Sequence, residues 1–237
     1  MTVTPRLDLP LVQPAQAQKH VTVNEALLRL DCVSMLTLDA RNSVAPPAAP
    51  VEGQAFGLAA APSGAWAGQG GRVAVFLSGG WVFISPLRGW RAWISDEGVW
   101  ALHDGLGWRG GALALSPSGA GSFLRVTEFD HTVTEGPVSV TAEGIPANVL
   151  VFAVTARVLE AIPGSLSSWQ LGVDGAPDRF GSGLGLGAGS FARGLLGSPM
   201  AFYAPTPLML TATGGSFGGG GVLRIAIHAY EPSLPGM

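Results

Sequence analysis

Three observations predict a mainly β chain with a short N-terminal α-helix, a small antiparallel tryptophan-rich β domain and a C-terminal jelly-roll-like β-sandwich. Apolar residues recur at the 3–4 spacing of a helix in one early stretch, Val23, Ala26, Leu27, Leu30 and Val33. Glycine then precedes tryptophan again and again between residues 54 and 111, with short apolar runs between. Beyond residue 126 the chain reads as about eight short strands separated by glycine turns, the number a jelly roll needs. The expected boundaries are 1–45 for an arm and helix, 46–115 for the small domain and 116–237 for the sandwich.

Pro5 and Pro10 make residues 1–12 an extended arm. The helix is expected within residues 13–40, with Thr22 and Glu25 as a capping box, stopped at the latest by Ala45-Pro46-Pro47. Its apolar stripe has two readings. One packs it on its own domain. The other makes Val23, Ala26, Leu27, Leu30 and Val33 a short seam between identical chains.

The small domain carries Trp66, Trp81, Trp90, Trp100 and Trp108 at spacings of 15, 9, 10 and 8 residues. Strands are expected in RVAVFL, GWVFIS, WRAWIS and VWALH. Most of these indoles should fill the core. The alternative is a carbohydrate platform, because indole faces stack on sugar C–H faces. Trp90 and Trp93, interleaved with Arg88 and Arg91, are the best candidates, although a spacing of three puts the two rings on opposite faces of a strand. Trp169 and Tyr203 join them from the C-terminal half.

Residues 112–125 read as a hinge of small residues. After it, NVLVFAVTARVLEAI, SWQLGV, MAFYAP, LMLTATGG and VLRIAIHAY read as strands. In the last, Leu223, Ile225 and Ile227 share one face while Arg224, His228 and Tyr230 share the other. Asp174-Gly175 and Gly214-Gly215 mark turns.

Composition excludes several classes. The net charge is −3, and only 12% of residues are charged against roughly 25% in typical domains. Such a charge-poor exterior suits a chain covered by other subunits. Residues 126–237 hold 4 basic and 8 acidic groups, so neither nucleic-acid binding nor attraction to an anionic membrane is expected. No apolar run reaches the ~20 residues of a membrane span. With one cysteine, Cys32, there is no intrachain disulfide; a small buried apolar role is expected, with an interchain disulfide as the alternative.

Catalytic patterns are sought and not found. The glycine string 181–190 lacks GK[ST], so a tightly approached or mobile loop is expected rather than a phosphate site; 214–221 reads as a long flexible turn. His103-Asp104 are strand neighbours pointing apart, Asp96-Glu97 sit in a turn, and Asp174 with Asp178 fall in an exposed loop. No catalytic residue, metal or cofactor is expected, and the chain is read as not an enzyme.

The run LPLVQPAQAQKHVTVNEALLRLD, followed by PP, EG, SGAWAG and GGWVFISPLRGWRAWISDE, resembles an uncharacterised domain family of tail-fibre and spike proteins from phages and gene transfer agents. The resemblance covers about residues 7–110. It implies a structural adhesin on the surface of a phage-like particle, made in the cytoplasm and released by lysis. The implied partners are two further copies in a homotrimer, other particle proteins and host surface polysaccharide. The alternatives are a fibre or spike-base component without a receptor, and a capsule-degrading enzyme.

Overall fold

A computed structural model describes residues 2–13 and 19–236. Among the described residues the chain is mainly β with one α-helix, and it divides into two compact units, Met1–Leu115 and Ser116–Met237.

In the first unit the helix α1 spans Lys19–Val33. The start expected near residue 13 falls on residues outside the described ones. Thr22 lies inside the helix, so the expected capping box does not form; Glu25 instead pairs with Arg29 one turn on, at 2.9 Å. The helix also ends sooner than expected. Met35 takes a left-handed φ of 49°, and the chain turns directly into β1 (Thr37–Leu38) and β2 (Ala40–Ser43). There follow β3 (Ala55–Leu58), β4 (Val73–Leu77), β5 (Gly80–Ile84), β6 (Arg91–Ile94), β7 (Val99–His103), β8 (Trp108–Gly110) and β9 (Ala112–Leu115).

Strands β1 to β8 form two four-stranded sheets, β1-β6-β7-β8 and β2-β3-β4-β5. Each is antiparallel except for its first pair: β1 runs parallel to β6, and β2 parallel to β3. Residues 1–45 are therefore not a separate appendage. Cys32, Leu36 and Leu38 share a buried core with Val73, Val75, Ala92, Ile94, Ala101 and Trp108, and Leu28 packs against it. Gly57 is required there, because a Cβ would sit 2.9 Å from the Trp108 ring. A smaller cluster joins Trp66, fully buried, to Trp81 in an edge-to-face contact at 5.0 Å.

The N-terminal arm is not extended. Thr4 N–H donates to Leu9 O and Leu11 N–H to Thr2 O, closing a small hairpin. Asp31, buried on α1, holds it: its carboxylate accepts from the Thr4 hydroxyl at 2.7 Å, Leu7 N–H at 2.8 Å and Arg6 N–H at 3.1 Å. The Arg6 guanidinium donates to the carbonyl of Cys32, one of the acceptors that the end of a helix leaves unsatisfied, and to that of Thr37 at the start of β1.

The second unit comprises β10 (Gly121–Thr132), β11 (Val138–Ile145), β12 (Val149–Glu160), β13 (Ser168–Val173), β14 (Ala176–Leu184), β15 (Phe191–Phe202), β16 (Thr206–Thr213) and β17 (Val222–Pro232). One sheet has the order β15-β12-β17-β10 and the other β11-β16-β13-β14. Lettered B to I along the chain, these are the G-D-I-B and C-H-E-F sheets of a jelly roll, as expected. Its core lies between the sheets, with Val151, Val154, Leu223, Ile225 and Ile227 from one against Trp169, Leu171, Leu208 and Leu210 from the other.

Several local expectations need correction. The segment read as a hinge is strand at both ends, β9 and the start of β10. Asp174-Gly175 makes the two-residue turn expected, but Asp178 lies on β14 rather than in a loop. The 214–221 loop is pinned: Phe217 is buried, and its backbone exchanges hydrogen bonds with Gly136. The 181–190 string is part strand, and its Gly185 carbonyl accepts from the Trp169 indole at 2.8 Å.

Strand register also sets the outward face of the β15-β12-β17-β10 sheet, in four rows. They read Phe191–Arg157–Arg224–Asp130, Arg193–Thr155–Ala226–Glu128, Leu195–Ala153–His228–Val126 and Ala201–Leu150–Tyr230–Leu124. One end of this face is charged and the other apolar.

Two predictions follow from these contacts. Asp31→Ala removes the acceptor of three hydrogen bonds and strands a buried hydroxyl; unfolding in urea followed by tryptophan fluorescence should show a loss of about 2–4 kcal/mol. His131 is buried and its Nε2 accepts from Ser139 Oγ at 2.8 Å, whose own lone pairs are taken by the Thr134 N–H and hydroxyl. Burial lowers its pKa below the ordinary 6.5. The unfolded chain therefore binds a proton that the folded chain refuses, and stability should fall as pH drops from 6.5 toward the folded pKa. His131→Gln, compared with wild type at pH 7.5 and 5.5, should flatten that slope.

Candidate functional site

The exposed face of the β1-β6-β7-β8 sheet carries the best-developed aromatic surface. On β6, Ala92 and Ile94 are buried, so Arg91 and Trp93 point outward. The hairpin register places Trp93 opposite Trp100 and Arg91 opposite Leu102, with Arg109 beyond Leu102. The two indoles meet edge to face at 5.6 Å, and Trp100 is 53% exposed. Thr37 of β1 lies on the other side of Trp93. The patch thus combines two ring systems with two guanidiniums, donors and apolar faces of the kind a sugar ring uses.

Of the sequence candidates, Arg91 and Trp93 sit in this patch. Trp90 does not. It precedes β6 on the inner face and packs half-buried against the core, so the pairing of Trp90 with Trp93 on one platform is corrected. Arg88 is exposed in the turn before it. Trp100 was missed. The hairpin around Ser95–Gly98 carries the signal, because any register that pairs Ile94 with Val99 pairs Trp93 with Trp100.

In the second unit Trp169 is fully buried with its N–H satisfied, which removes it as a sugar platform. Tyr203 is 82% exposed and overhangs a shallow hollow of about 380 Å³ with Leu150, Tyr230 and Pro232.

The helix faces two ways. Leu28, Asp31 and Cys32 turn inward, whereas Val23, Ala26 and Leu30 are exposed and Leu27 and Val33 half-buried. Ala26, Leu30 and Val33 form one wall of an open groove of about 520 Å³, whose other wall is Val82, Phe83 and Ile84 of β5. Cys32 is wholly buried, and burial pushes its thiol up to about 11; an interchain disulfide through it is closed off in this fold.

The catalytic patterns set aside from sequence have structural employment. Asp104 accepts from Leu106 N–H and Gly107 N–H, both at 2.8 Å, and so builds its own turn. His103 is buried against Trp108 at 5.0 Å, and that burial lowers its pKa. Glu97 forks onto Arg41 at 2.5 and 3.0 Å. Among the described residues no three carboxylate, histidine or cysteine side chains gather at metal-binding distance. Among them no helix is long and apolar enough to cross a membrane.

Comparison with known proteins adds little. Residues 23–109 match a family described as a protein of unknown function (DUF2793). No curated protein matches the chain. Among solved structures, a chain of the cyanophage Pam1 capsid asymmetric unit is 18% identical, covering 48% of this chain and 85% of that one. Its TM-score of 0.31 is too low to carry an argument.

Proposed function

We propose that this chain is a structural protein of a phage-like particle that assembles with copies of itself, as a trimer, and displays sugar-binding surface toward host polysaccharide. The observation that carries the reading is the amount of apolar side chain left in solvent on otherwise regular surfaces. The outward rows of the jelly-roll sheet hold Leu195 at 77% and Val126 at 62% exposure, with Leu124 beside them. An antiparallel sheet with one wet face ordinarily alternates to polar residues there. The stripe of α1 and its groove leave a second such surface. Contiguous apolar patches of this kind mark surfaces that meet another protein.

The low charge of the chain agrees with subunits covering one another. The particle context, the attachment to other particle proteins and the copy number of three come from the resemblance of residues 7–110 to fibre and spike proteins. The receptor role is supported by the Trp93–Trp100 pair, and three linked copies would add weak contacts into useful avidity. Assignment as a binding protein rather than a capsule-degrading enzyme is part of the same proposal.

Light scattering of the full chain should give three times the 24.2 kDa chain mass. Leu30→Glu with Val126→Glu should lower it toward one copy while circular dichroism stays unchanged; a wild-type monomer at micromolar concentration would sink the reading. Trp100→Ala should lower binding to host-surface polysaccharide at least tenfold without altering that mass, read on a glycan array and by light scattering.

A further inference from the structure

The charged end of the jelly-roll outer face is a cleft of about 370 Å³ between β15, β12 and β17, lined by none of the residues used above for sugar or subunit contact. Its lining includes Phe191, Arg193, Arg157, Thr155, Arg224 and Glu128. The unit has five arginines and eight carboxylates, yet three of the five arginines converge here. Charge this segregated, in a unit whose net sign is opposite, calls for a reason.

The three guanidiniums are not equivalent. Arg224 is neutralised: Asp130 accepts its Nε and Nη2 at 2.8 and 2.9 Å, and Glu128 lies 3.7 Å away. Among the described residues, the Arg157 guanidinium hydrogen-bonds only the Gly189 carbonyl, at 3.5 Å. Arg193 makes no hydrogen bond or ion pair among the described residues. Both of the latter sit against one ring, with their Cζ atoms 6.0 and 5.3 Å from the Phe191 centroid. Two like charges beside one half-exposed phenyl ring repel each other, and the ring face offsets only part of that. A carboxylate between them would accept from both planar forks, the geometry for which arginine is suited.

We infer that this cleft binds a carboxylate-bearing sugar, a uronic acid unit of an acidic polysaccharide. Arg193 and Arg157 take the carboxylate, and the half-exposed Phe191 ring beside them gives the sugar C–H groups an apolar contact. The choice of glycan over an acidic peptide rests on the receptor reading above and on size. The cleft spans three strands and two register rows, roughly 10 Å by 7 Å. That suits one or two pyranose rings, and the volume is at the low end of small-ligand sites, which run from about 300 to 1,000 Å³. An extended peptide would need a longer run of basic rows, and the next row is Leu195–Ala153–His228–Val126.

The test uses the full chain and three probes in calorimetric titration: oligogalacturonate, a neutral galactan oligomer of equal length, and oligoglutamate. Oligogalacturonate should bind, the neutral oligomer at least tenfold more weakly, and binding should weaken as salt rises. Arg193→Ala and Arg157→Ala should each cost at least tenfold, Arg193→Lys should rescue only part, and Arg72→Ala, which removes an exposed guanidinium from the first unit, should leave the affinity unchanged. Absence of oligogalacturonate binding, or binding that both arginine variants leave intact, overturns the assignment. Oligoglutamate binding as tight as oligogalacturonate overturns it in favour of an acidic protein segment. Should Trp100→Ala alone abolish sugar binding, the receptor reading stands and this cleft falls.

Discussion

The alternation of β17 at the centre of its sheet governs the second unit. Leu223, Ile225 and Ile227 are buried between the two sheets, and neighbours on β12 and β10 are held to them by an antiparallel register on either side. A slip of one residue would carry this set into water and the arginines into the core. The same constraint therefore creates the outer face. Once the aliphatic side chains point in, Arg224, Ala226, His228 and Tyr230 must point out, each at the centre of a row. The graded outer surface, charged at one end and apolar at the other, is thus the reverse side of core packing. Its composition is free to answer to something other than stability.

A comparable economy operates in the first unit through Asp31. A carboxylate with no exposure is tolerable only where donors surround it. Thr4, Arg6 and Leu7 provide them, and in doing so fasten the N-terminal hairpin to α1. With Leu28 and Cys32 packed on the same core, the inner side of the helix is fully employed. What remains is the stripe Val23, Ala26 and Leu30, which no described residue of the unit covers. The two readings of the helix are thus less opposed than they look. One face packs within the chain, and the other is left for the partner proposed above.

Among the described residues, no three carboxylate, histidine or cysteine side chains gather at metal-binding distance. Asp104 builds its own turn, Glu97 and Asp130 pair with arginines, and burial lowers the pKa of His103 and His131. The surfaces that stand out are instead extended, aromatic, apolar or arginine-rich, and shallow. On the reading proposed above, they serve recognition and assembly. A multicopy protein can use such weak surfaces because its copies act together.

Residue pattern alone determined much of this: the β class, the jelly roll, most strand positions, the early helix and the two faces of β17. Those are local properties, set by spacing and by glycine at turns. The ends of elements depended on more. Thr22 looked like a cap because the helix start was judged from apolar spacing alone. The strand β1 hid inside the expected helix and β2 began at its expected end, because parallel edge strands need partners far along the chain. Which tryptophans face water was likewise a tertiary decision. Trp90, Trp93, Trp100 and Trp169 are the same residue type in similar settings, and only pairing across strands sends two outward and two against the core. The arginine cleft was invisible for the same reason: Arg157, Arg193 and Arg224 are far apart in sequence, and sheet register alone brings them onto one face.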